Sequence, residues 1–221
     1  MRCVITAGPT FEPLDRVRRL TNFSTGRLGA ELARHLAEGG HEVLLLRGEM
    51  ATWPAPAHPA IQLESFTTTS DLQQRLEALA TAKTLAIFHA AAVSDFAFGR
   101  VYERGPRGEL AEIRAGKFST REGSLLAELV PTTKLVARLR GWFPDAWLVG
   151  WKYAVDGDRV SALREGAQQI AACHTDACVA NGPAYGAGFG VIRADSPATT
   201  DCPDGASLFA ALAALLTTPR S

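Results

Sequence analysis

The chain has 221 residues, of which 47% are hydrophobic, and its 23 basic and 23 acidic side chains give a formal net charge of zero. This balance gives no indication of a basic surface for nucleic acid or for a membrane, and no apolar run approaches the roughly 20 residues of a membrane span. Residues 1–8 lack a signal-peptide pattern. We therefore expect a cytoplasmic protein with one domain, residues 1–221, around a sizeable core.

Helix and strand patterns alternate along the chain, which predicts an α/β fold with a Rossmann-like, doubly wound, mainly parallel sheet and helices on both faces. Residues 96–123 lack a regular pattern, and we expect them to form a flap or a small subdomain over the carboxyl ends of the strands, where such sheets bind ligands. The predicted strands are 3–6, 42–46, 60–65, 84–89, 124–130, 146–151 and 177–180, with a short strand or hairpin arm at 189–192. The predicted helices are 26–38, 70–80, 132–140, 156–172 and 206–216.

A long polar loop leaves the first strand at Gly8 and ends in Ser24–Gly26, where the first helix begins. Helix starts expose unpaired N–H groups and bind anions, and Arg18, Arg19 and Arg27 add positive charge to this region. The spacing matches neither the dinucleotide glycine fingerprint nor the Gly-Lys-Ser/Thr phosphate loop. An anion site of a different design is therefore predicted. The alternative is an ordinary turn in which Thr21 or Ser24 caps the helix.

Later strand ends carry further candidates, each with a structural alternative. Small residues from Ala90 to Val93 permit close backbone approach, and Asp95 offers a carboxylate to a ribose, a base or Mg²⁺, or else caps a helix. The segment Thr132–Lys134 offers N–H groups to a second phosphate, or plain capping. Trp151 would cover a base or sugar, or pack at the rim. Lys152 would face phosphate, and Asn181 would bind a base edge or ribose, or form an Asn-Gly turn.

Lys117 lies within the predicted flap, in the segment Ala-Gly-Lys-Phe. A mobile lysine that closes on phosphate is common in nucleotidyl transfer, and a solvated surface lysine is the alternative. No Ser–His–Asp or Cys–His arrangement is present, and His89, at the end of a buried strand, is predicted to be structural. The cysteines form no Cys-x-x-Cys pair, which favours reduced structural thiols over a metal site. They are Cys3, Cys173, Cys178 and Cys202.

Taken in order, these motifs resemble the phosphopantothenoylcysteine synthetases, also called phosphopantothenate–cysteine ligases. The family begins with Thr-Ala-Gly-Gly/Pro-Thr, continues with Glu-Pro-x-Asp-x-Val-Arg, and then has Asn-x-Ser-Ser-Gly-Lys/Arg-x-Gly. Residues 6–10, 12–18 and 22–29 match these three motifs almost residue for residue. The resemblance spans about residues 1–195. Segments similar to later family motifs are residues 90–95, 117, 129–136, 150–151 and 179–181.

The resemblance implies a homodimeric enzyme of coenzyme A biosynthesis that uses ATP or CTP with Mg²⁺. The enzyme would activate 4′-phosphopantothenate as an acyl-nucleotidylate, release pyrophosphate and couple the acyl group to cysteine. It implies that Asn22 holds this intermediate, that Arg18 binds near it or near the substrate, and that Lys117 neutralises phosphate charge. Mg²⁺ would be held mainly through phosphates, with Asp95 as a candidate ligand. The nucleotide and phosphate sites would comprise Gly8, Ser24, Thr25, Gly26, Ala91, Asp95, Thr132, Thr133, Lys134, Trp151, Lys152 and Asn181.

The chain departs from many bacterial members at two places where they carry lysines. Phe118-Ser119-Thr120 follows the flap lysine, and Gln168-Gln169 lies in the helix before the Ala-Asn strand end. The choice between ATP and CTP therefore stays open, and a non-catalytic nucleotide-binding relative is an alternative. An NAD(P)-dependent reductase is another alternative. It is disfavoured because the sequence has neither the dinucleotide glycine fingerprint nor a Tyr-x-x-x-Lys pair. The chain lacks the flavin-binding decarboxylase domain of many bacterial members. We therefore expect no flavin and a separate phosphopantothenoylcysteine decarboxylase.

Overall fold

A computed structural model describes residues 2–81, 83–118 and 124–217. The helices are α1 (Arg27–Glu38), α2 (Thr69–Ala78), α3 (Leu139–Trp142), α4 (Arg159–Cys173) and α5 (Gly205–Leu215), with a 3-10 turn at Leu135–Ala137. The strands are β1 (Arg2–Ala7), β2 (Phe11–Pro13), β3 (Arg19–Thr21), β4 (Glu42–Gly48), β5 (Ile61–Phe66), β6 (Thr84–His89), β7 (Phe96–Arg104), β8 (Leu110–Glu112), β9 (Ser124–Pro131), β10 (Trp147–Tyr153), β11 (Ala177–Asn181), β12 (Phe189–Arg193) and β13 (Ser196–Cys202).

Eight strands form a central sheet in the order β13-β12-β11-β10-β6-β1-β4-β5. The strands from β11 to β5 are parallel, and β12 and β13 add an antiparallel hairpin at one edge. Because successive side chains of a strand point to opposite faces, β1 buries Ile5 against α1 and α5 and Val4 on the side of α2 and α3. The predicted mainly parallel α/β sheet with helices on both faces is confirmed.

Residues 96–131 are more regular than the sequence predicted. Strands β7, β8 and β9 form a separate three-stranded antiparallel sheet, which we call the small sheet. The expectation that residues 124–130 join the main sheet is therefore wrong. The physical reason is that β9 is exposed along most of its length, whereas the central strands of the main sheet are buried on both faces. Residues 119–123, which we assigned to the flap, lie outside the described residues.

The continuous helix expected over residues 132–140 is replaced by the 3-10 turn and the four-residue helix α3. Thr132 stays outside both, because its backbone N–H donates to Asp95 O at 3.0 Å and its hydroxyl donates to Ser94 O. These bonds tie the chain after the small sheet to the loop that follows β6. The N–H of Thr132 is therefore not free for a phosphate, and the continuous helix expected to begin at this residue is absent.

Several smaller features complete the comparison with the sequence. The long loop after β1 contains the β2–β3 hairpin, and the hairpin-arm reading of residues 189–192 is confirmed by the pairing of β12 with β13. All four cysteines are buried and free of disulfides, and burial raises the pKa of the Cys3 and Cys178 thiols to about 12. Within the described ranges, no helix is long and apolar enough to cross a membrane.

Candidate functional site

The loops after β1 and β6 are joined by backbone hydrogen bonds at the carboxyl edge of the sheet. Ala92 N donates to Gly8 O at 3.0 Å, and Thr10 N donates to Ala92 O at 3.2 Å. Ala91 N donates to Thr6 Oγ1 at 3.1 Å, and the same hydroxyl lies 2.9 Å from His89 Nδ1. The two loops therefore form one rigid platform at the point where such sheets bind ligands.

A cavity of about 250 Å³ opens beside this platform. It lies between the loop after β6, the segment after β9, the end of β10 and helix α4. Ser94, His89 and Gln169 contribute to its wall, although the sequence predicted a binding role for none of them. The cavity brings together six of the predicted site residues from three separate stretches of the chain, which are Ala91, Asp95, Thr132, Thr133, Lys134 and Trp151.

Two residues of the lining, Trp151 and His89, carry buried ring nitrogens. Trp151 Nε1 is buried and has no hydrogen-bond partner in the described part of the chain. A buried N–H without an acceptor is costly, so this donor favours a ligand that brings an acceptor atom. Burial lowers the pKa of His89 to about 4, which keeps its ring neutral near pH 7. The prediction that His89 is a structural residue agrees with its bond to Thr6, although its ring also lines the cavity.

The start of α1 forms a second group of predicted residues. Gly8 and Gly26 both have left-handed φ angles, of 83° and 79°, and a Cβ on Gly8 would lie 2.6 Å from Ala51 Cβ. Gly26 is the N-cap, and no side chain caps it, so the Thr21 or Ser24 cap considered above is wrong. Arg27 N already donates to the Thr25 hydroxyl at 3.3 Å, and the rest of the amino end of α1 is a candidate anion site, consistent with the predicted position of Ser24, Thr25 and Gly26 at a helix start.

The arginines near this helix start are already paired with carboxylates. Arg27 Nε lies 2.9 Å from Glu31 Oε1, and its guanidinium stacks over the Trp53 ring at 4.8 Å from the centroid. Arg19 Nη1 lies 3.4 Å from Glu49 Oε1. The local positive charge is therefore smaller than the sequence implied.

Asn22 lies between the residues at the start of α1 and the loop that lines the cavity. It is exposed immediately after β3, and its Nδ2 donates to Ala92 O at 3.0 Å. Ala92 lies in the loop that also carries Ala91 and Asp95, so the side chain of Asn22 stands at the platform beside the cavity. An exposed amide in this position can offer hydrogen bonds to a ligand without exchanging a proton.

Arg18 binds the backbone of Phe118, the residue that follows Lys117. Arg18 Nη2 donates to Phe118 O at 2.7 Å and to Asp15 Oδ2 at 2.7 Å. Lys117 itself is exposed, and its ammonium group has no partner among the described residues. The sequence predicted Arg18 and Lys117 separately, and the structure adds Asp15, which was visible only as the Asp of the Glu-Pro-x-Asp-x-Val-Arg motif.

Two predicted binding residues lie apart from the lining of the cavity. Lys152 Nζ pairs with Glu165 Oε2 of α4 at 3.0 Å, on the opposite face of β10 from Trp151. Asn181 uses its backbone carbonyl to accept a 2.8 Å bond from Ala154 N. The structure thus brings together most of the predicted site, but it gives Lys152 a partner within the protein.

Comparisons with known proteins fit this geometry. A family model described as DNA/pantothenate metabolism flavoprotein C-terminal domain matches residues 1–198. The coenzyme A biosynthesis bifunctional protein CoaBC of Thermococcus kodakarensis is 31% identical over 180 residues, which cover 81% of this chain and 41% of that protein. The chain therefore spans about two fifths of the length of this curated relative.

Two solved structures share the fold. The DNA/pantothenate metabolism flavoprotein from Streptococcus pneumoniae has a TM-score of 0.85 and 22% identity, with 98% of both chains covered. A Cab2 mutant in complex with phosphopantothenate-cysteine has a TM-score of 0.73 and 19% identity, over 98% of this chain and 87% of that one. The architecture described above is therefore that of a known structural group.

Proposed function

Because the chain belongs to the family of the DNA/pantothenate metabolism flavoprotein C-terminal domain, we propose that it is a phosphopantothenate–cysteine ligase of coenzyme A biosynthesis. In the first step a carboxylate oxygen of 4′-phosphopantothenate attacks the α-phosphorus of ATP or CTP, and the bond to pyrophosphate breaks. In the second step the amine of cysteine attacks the acyl carbon, the nucleoside monophosphate leaves, and the amine proton passes to solvent. Activation is required because a carboxylate is a poor electrophile.

The cavity beside the platform is the proposed nucleotide site. Its lining supplies the hydroxyl of Thr133, the ammonium group of Lys134 and the unpartnered N–H of Trp151. The Thr132 hydroxyl already donates its proton to Ser94 O and therefore supplies only an acceptor oxygen. A nucleotide offers matching acceptors on its base, sugar and phosphates. Asp95, the carboxylate of this lining, is exposed and is our candidate to face Mg²⁺, which prefers oxygen ligands and keeps much of its water. When bound, Mg²⁺ would neutralise triphosphate charge.

The proposed catalytic groups stand around the platform. Asn22 would hold the acyl-nucleotidylate through its amide, since neutral donors stabilise developing charge without proton exchange. Lys117, exposed and without a partner in the described residues, would place its ammonium group on phosphate oxygens. Arg18 would bind near the acyl-nucleotidylate or near the substrate. The amino end of α1, with Gly8, Ser24, Thr25 and Gly26, would bind a phosphate.

The remaining assignments rest on the family resemblance alone. We propose a cytoplasmic homodimer whose product is the substrate of a phosphopantothenoylcysteine decarboxylase. Lys152 and Asn181 keep a proposed supporting role at the nucleotide site. The ion pair of Lys152 with Glu165 would have to open before this lysine binds phosphate.

One observation carries the proposal. Three segments that the sequence separates widely are joined directly at one edge of the sheet: Asn22 Nδ2 bonds to Ala92 O, and Thr132 N bonds to Asp95 O. Both bonds support the proposal, because Asn22 and Thr132 each bind the loop after β6, and this loop contributes to the lining of the cavity. Family membership then gives this arrangement its chemistry.

The test is pyrophosphate release by the purified protein with Mg²⁺ and 4′-phosphopantothenate, with ATP compared to CTP. We expect release with one nucleotide to depend on phosphopantothenate, and mass spectrometry to detect phosphopantothenoylcysteine once cysteine is added. Asn22→Ala should abolish product formation, whereas Gln74→Ala, an exposed change on α2, should not alter it. If folded protein releases no pyrophosphate with either nucleotide, a non-catalytic nucleotide-binding relative becomes the better reading.

A further inference from the structure

We infer that Asp15 is a positioning residue that holds Lys117 in place for nucleotidyl transfer. The basis of this inference is that Asp15, in the loop after β2, binds the backbone of Phe118, which is 103 residues later in the sequence. The geometry stands independently of the reaction, but the consequence for catalysis rests on the proposed function. Asp15 is not proposed to touch the substrate.

Asp15 has an enclosed carboxylate whose two oxygens are fully used. Its side chain is 0% exposed, Oδ1 accepts from Val17 N at 2.9 Å and from Arg18 N at 2.8 Å, and Oδ2 accepts from Arg18 Nη2 at 2.7 Å. Oδ2 also accepts from the backbone N–H of Phe118 at 3.2 Å. Desolvation raises the pKa of Asp15, but these hydrogen bonds outweigh it and hold the pKa well below its usual range. The carboxylate is therefore charged at every working pH.

The backbone around Lys117 is held on both sides by this one loop. Phe118 donates its N–H to Asp15 and accepts from Arg18 with its carbonyl, and its side chain is only 6% exposed. On the other side of the lysine, Gly116 O accepts from Arg16 N at 3.0 Å. Three hydrogen bonds therefore fix residues 116 and 118.

Lys117 between them has a fixed backbone and a free side chain. Its ammonium group is exposed at the end of four methylene groups and has no partner in the described residues. This combination suits a group that must meet a phosphate at a set distance, because the starting point of the side chain does not vary. The Asp15–Arg18 pair thus connects the first motif of the chain with the lysine of the predicted flap.

A double-mutant cycle distinguishes a role of Asp15 in positioning Lys117 from a role in stabilising the fold alone. We expect Asp15→Ala to lower the rate of pyrophosphate release on the order of 10- to 100-fold, the usual cost of misplacing a reacting group. If Asp15 acts through Lys117, adding Asp15→Ala to Lys117→Ala should cause no further loss. A loss that multiplies in the double variant would mean that Asp15 acts through Arg18, which it also binds, or through the fold, and not through Lys117. That result, or no loss in the single variant, would overturn the inference.

The matched control is Asp195→Ala. Asp195 also pairs with an arginine through both oxygens, at 2.8 and 2.6 Å from Arg193 Nε and Nη2, but it lies in the β12–β13 turn. We expect this variant to release pyrophosphate at the wild-type rate. The melting temperature of each variant shows whether it remains folded under assay conditions.

A second measurement does not need enzymatic activity. The chain has four lysines, at 83, 117, 134 and 152, so the protease Lys-C has few sites. Because the backbone on both sides of Lys117 is held, we expect Asp15→Ala to speed cleavage after Lys117 at least about tenfold, while cleavage after Lys83 serves as the internal reference. Equal cleavage in wild type and Asp15→Ala would overturn the inference. Wild-type protein without ligase activity would instead refute the proposed function and leave this test intact.

Discussion

Glu12 Oε1 accepts a 3.0 Å hydrogen bond from the backbone N–H of Thr69, the first residue of α2. Glu12 lies in β2 and is 7% exposed, so its carboxylate meets the positive end of the helix away from water. The β2–β3 hairpin is thereby tied to the body of the sheet.

We expect Glu12→Ala to lower the free energy of unfolding by about 1–3 kcal/mol, because a buried N–H loses its acceptor. Glu12→Gln keeps an oxygen acceptor and should lose less. Urea titration followed by circular dichroism measures both. Equal midpoints for wild type and Glu12→Ala would show that the bond does not stabilise the fold.

Gly29 tests how tightly α1 packs on β1. Glycine to alanine normally stabilises a helix by about 1 kcal/mol, but here the new Cβ would lie 2.5 Å from Ala7 Cβ. Overpacking costs about 1–3 kcal/mol, so we expect Gly29→Ala to lower the melting temperature. Gly141→Ala in α3 is the control, since its Cβ meets no described atom within 4 Å. That variant should be neutral or slightly stabilised.

His89 should make stability depend on pH. Its pKa is about 4 in the folded protein and about 6.5 for an ordinary histidine, so between these values the unfolded chain binds a proton that the folded chain does not. Stability therefore falls as the pH drops from 6.5 towards 4, with a slope of up to about 1.4 kcal/mol per pH unit from this group. Denaturant titrations across this window should show a flatter dependence for His89→Gln. Parallel curves for the two proteins would contradict the assignment.

Trp151→Phe isolates the unpartnered indole N–H. A smaller aromatic ring remains at the cavity while the donor is lost, so relief of the unsatisfied N–H offsets the lost packing and we expect the melting temperature of the free protein to change little. Nucleotide affinity, measured by calorimetry, should fall up to about tenfold, the value of one ordinary hydrogen bond. Unchanged affinity would show that the Trp151 N–H does not bind the nucleotide.

The main sheet could be predicted because its strands follow simple rules. Strands β1, β4, β6 and β11 are apolar runs bounded by turns, and a buried parallel strand has that pattern. The first motif likewise placed Gly8 and Gly26 at a strand end and a helix start, as the structure has them.

The small sheet was missed because its strands have another pattern. β7 and β9 are largely exposed, and they are held by pairs such as Val101 with Ala127, which no local periodicity reveals. The positions of Asp15 and Gln169 were equally hidden. Asp15 contacts Phe118 across a large sequence separation, and Gln169 had been noticed only as a departure from lysine.

Strands β6 and β10 pair directly, with Gly150 opposite His89, although the small sheet lies between them in sequence. The intervening segment thus leaves and re-enters the main sheet at neighbouring points. The entropy of closing such a segment grows by only about 0.6 kcal/mol for each doubling of its length. Length changes in the exposed strands of the small sheet should therefore cost the core little, whereas the stretch after β9 carries buried residues of that core, among them Leu135 and Leu139.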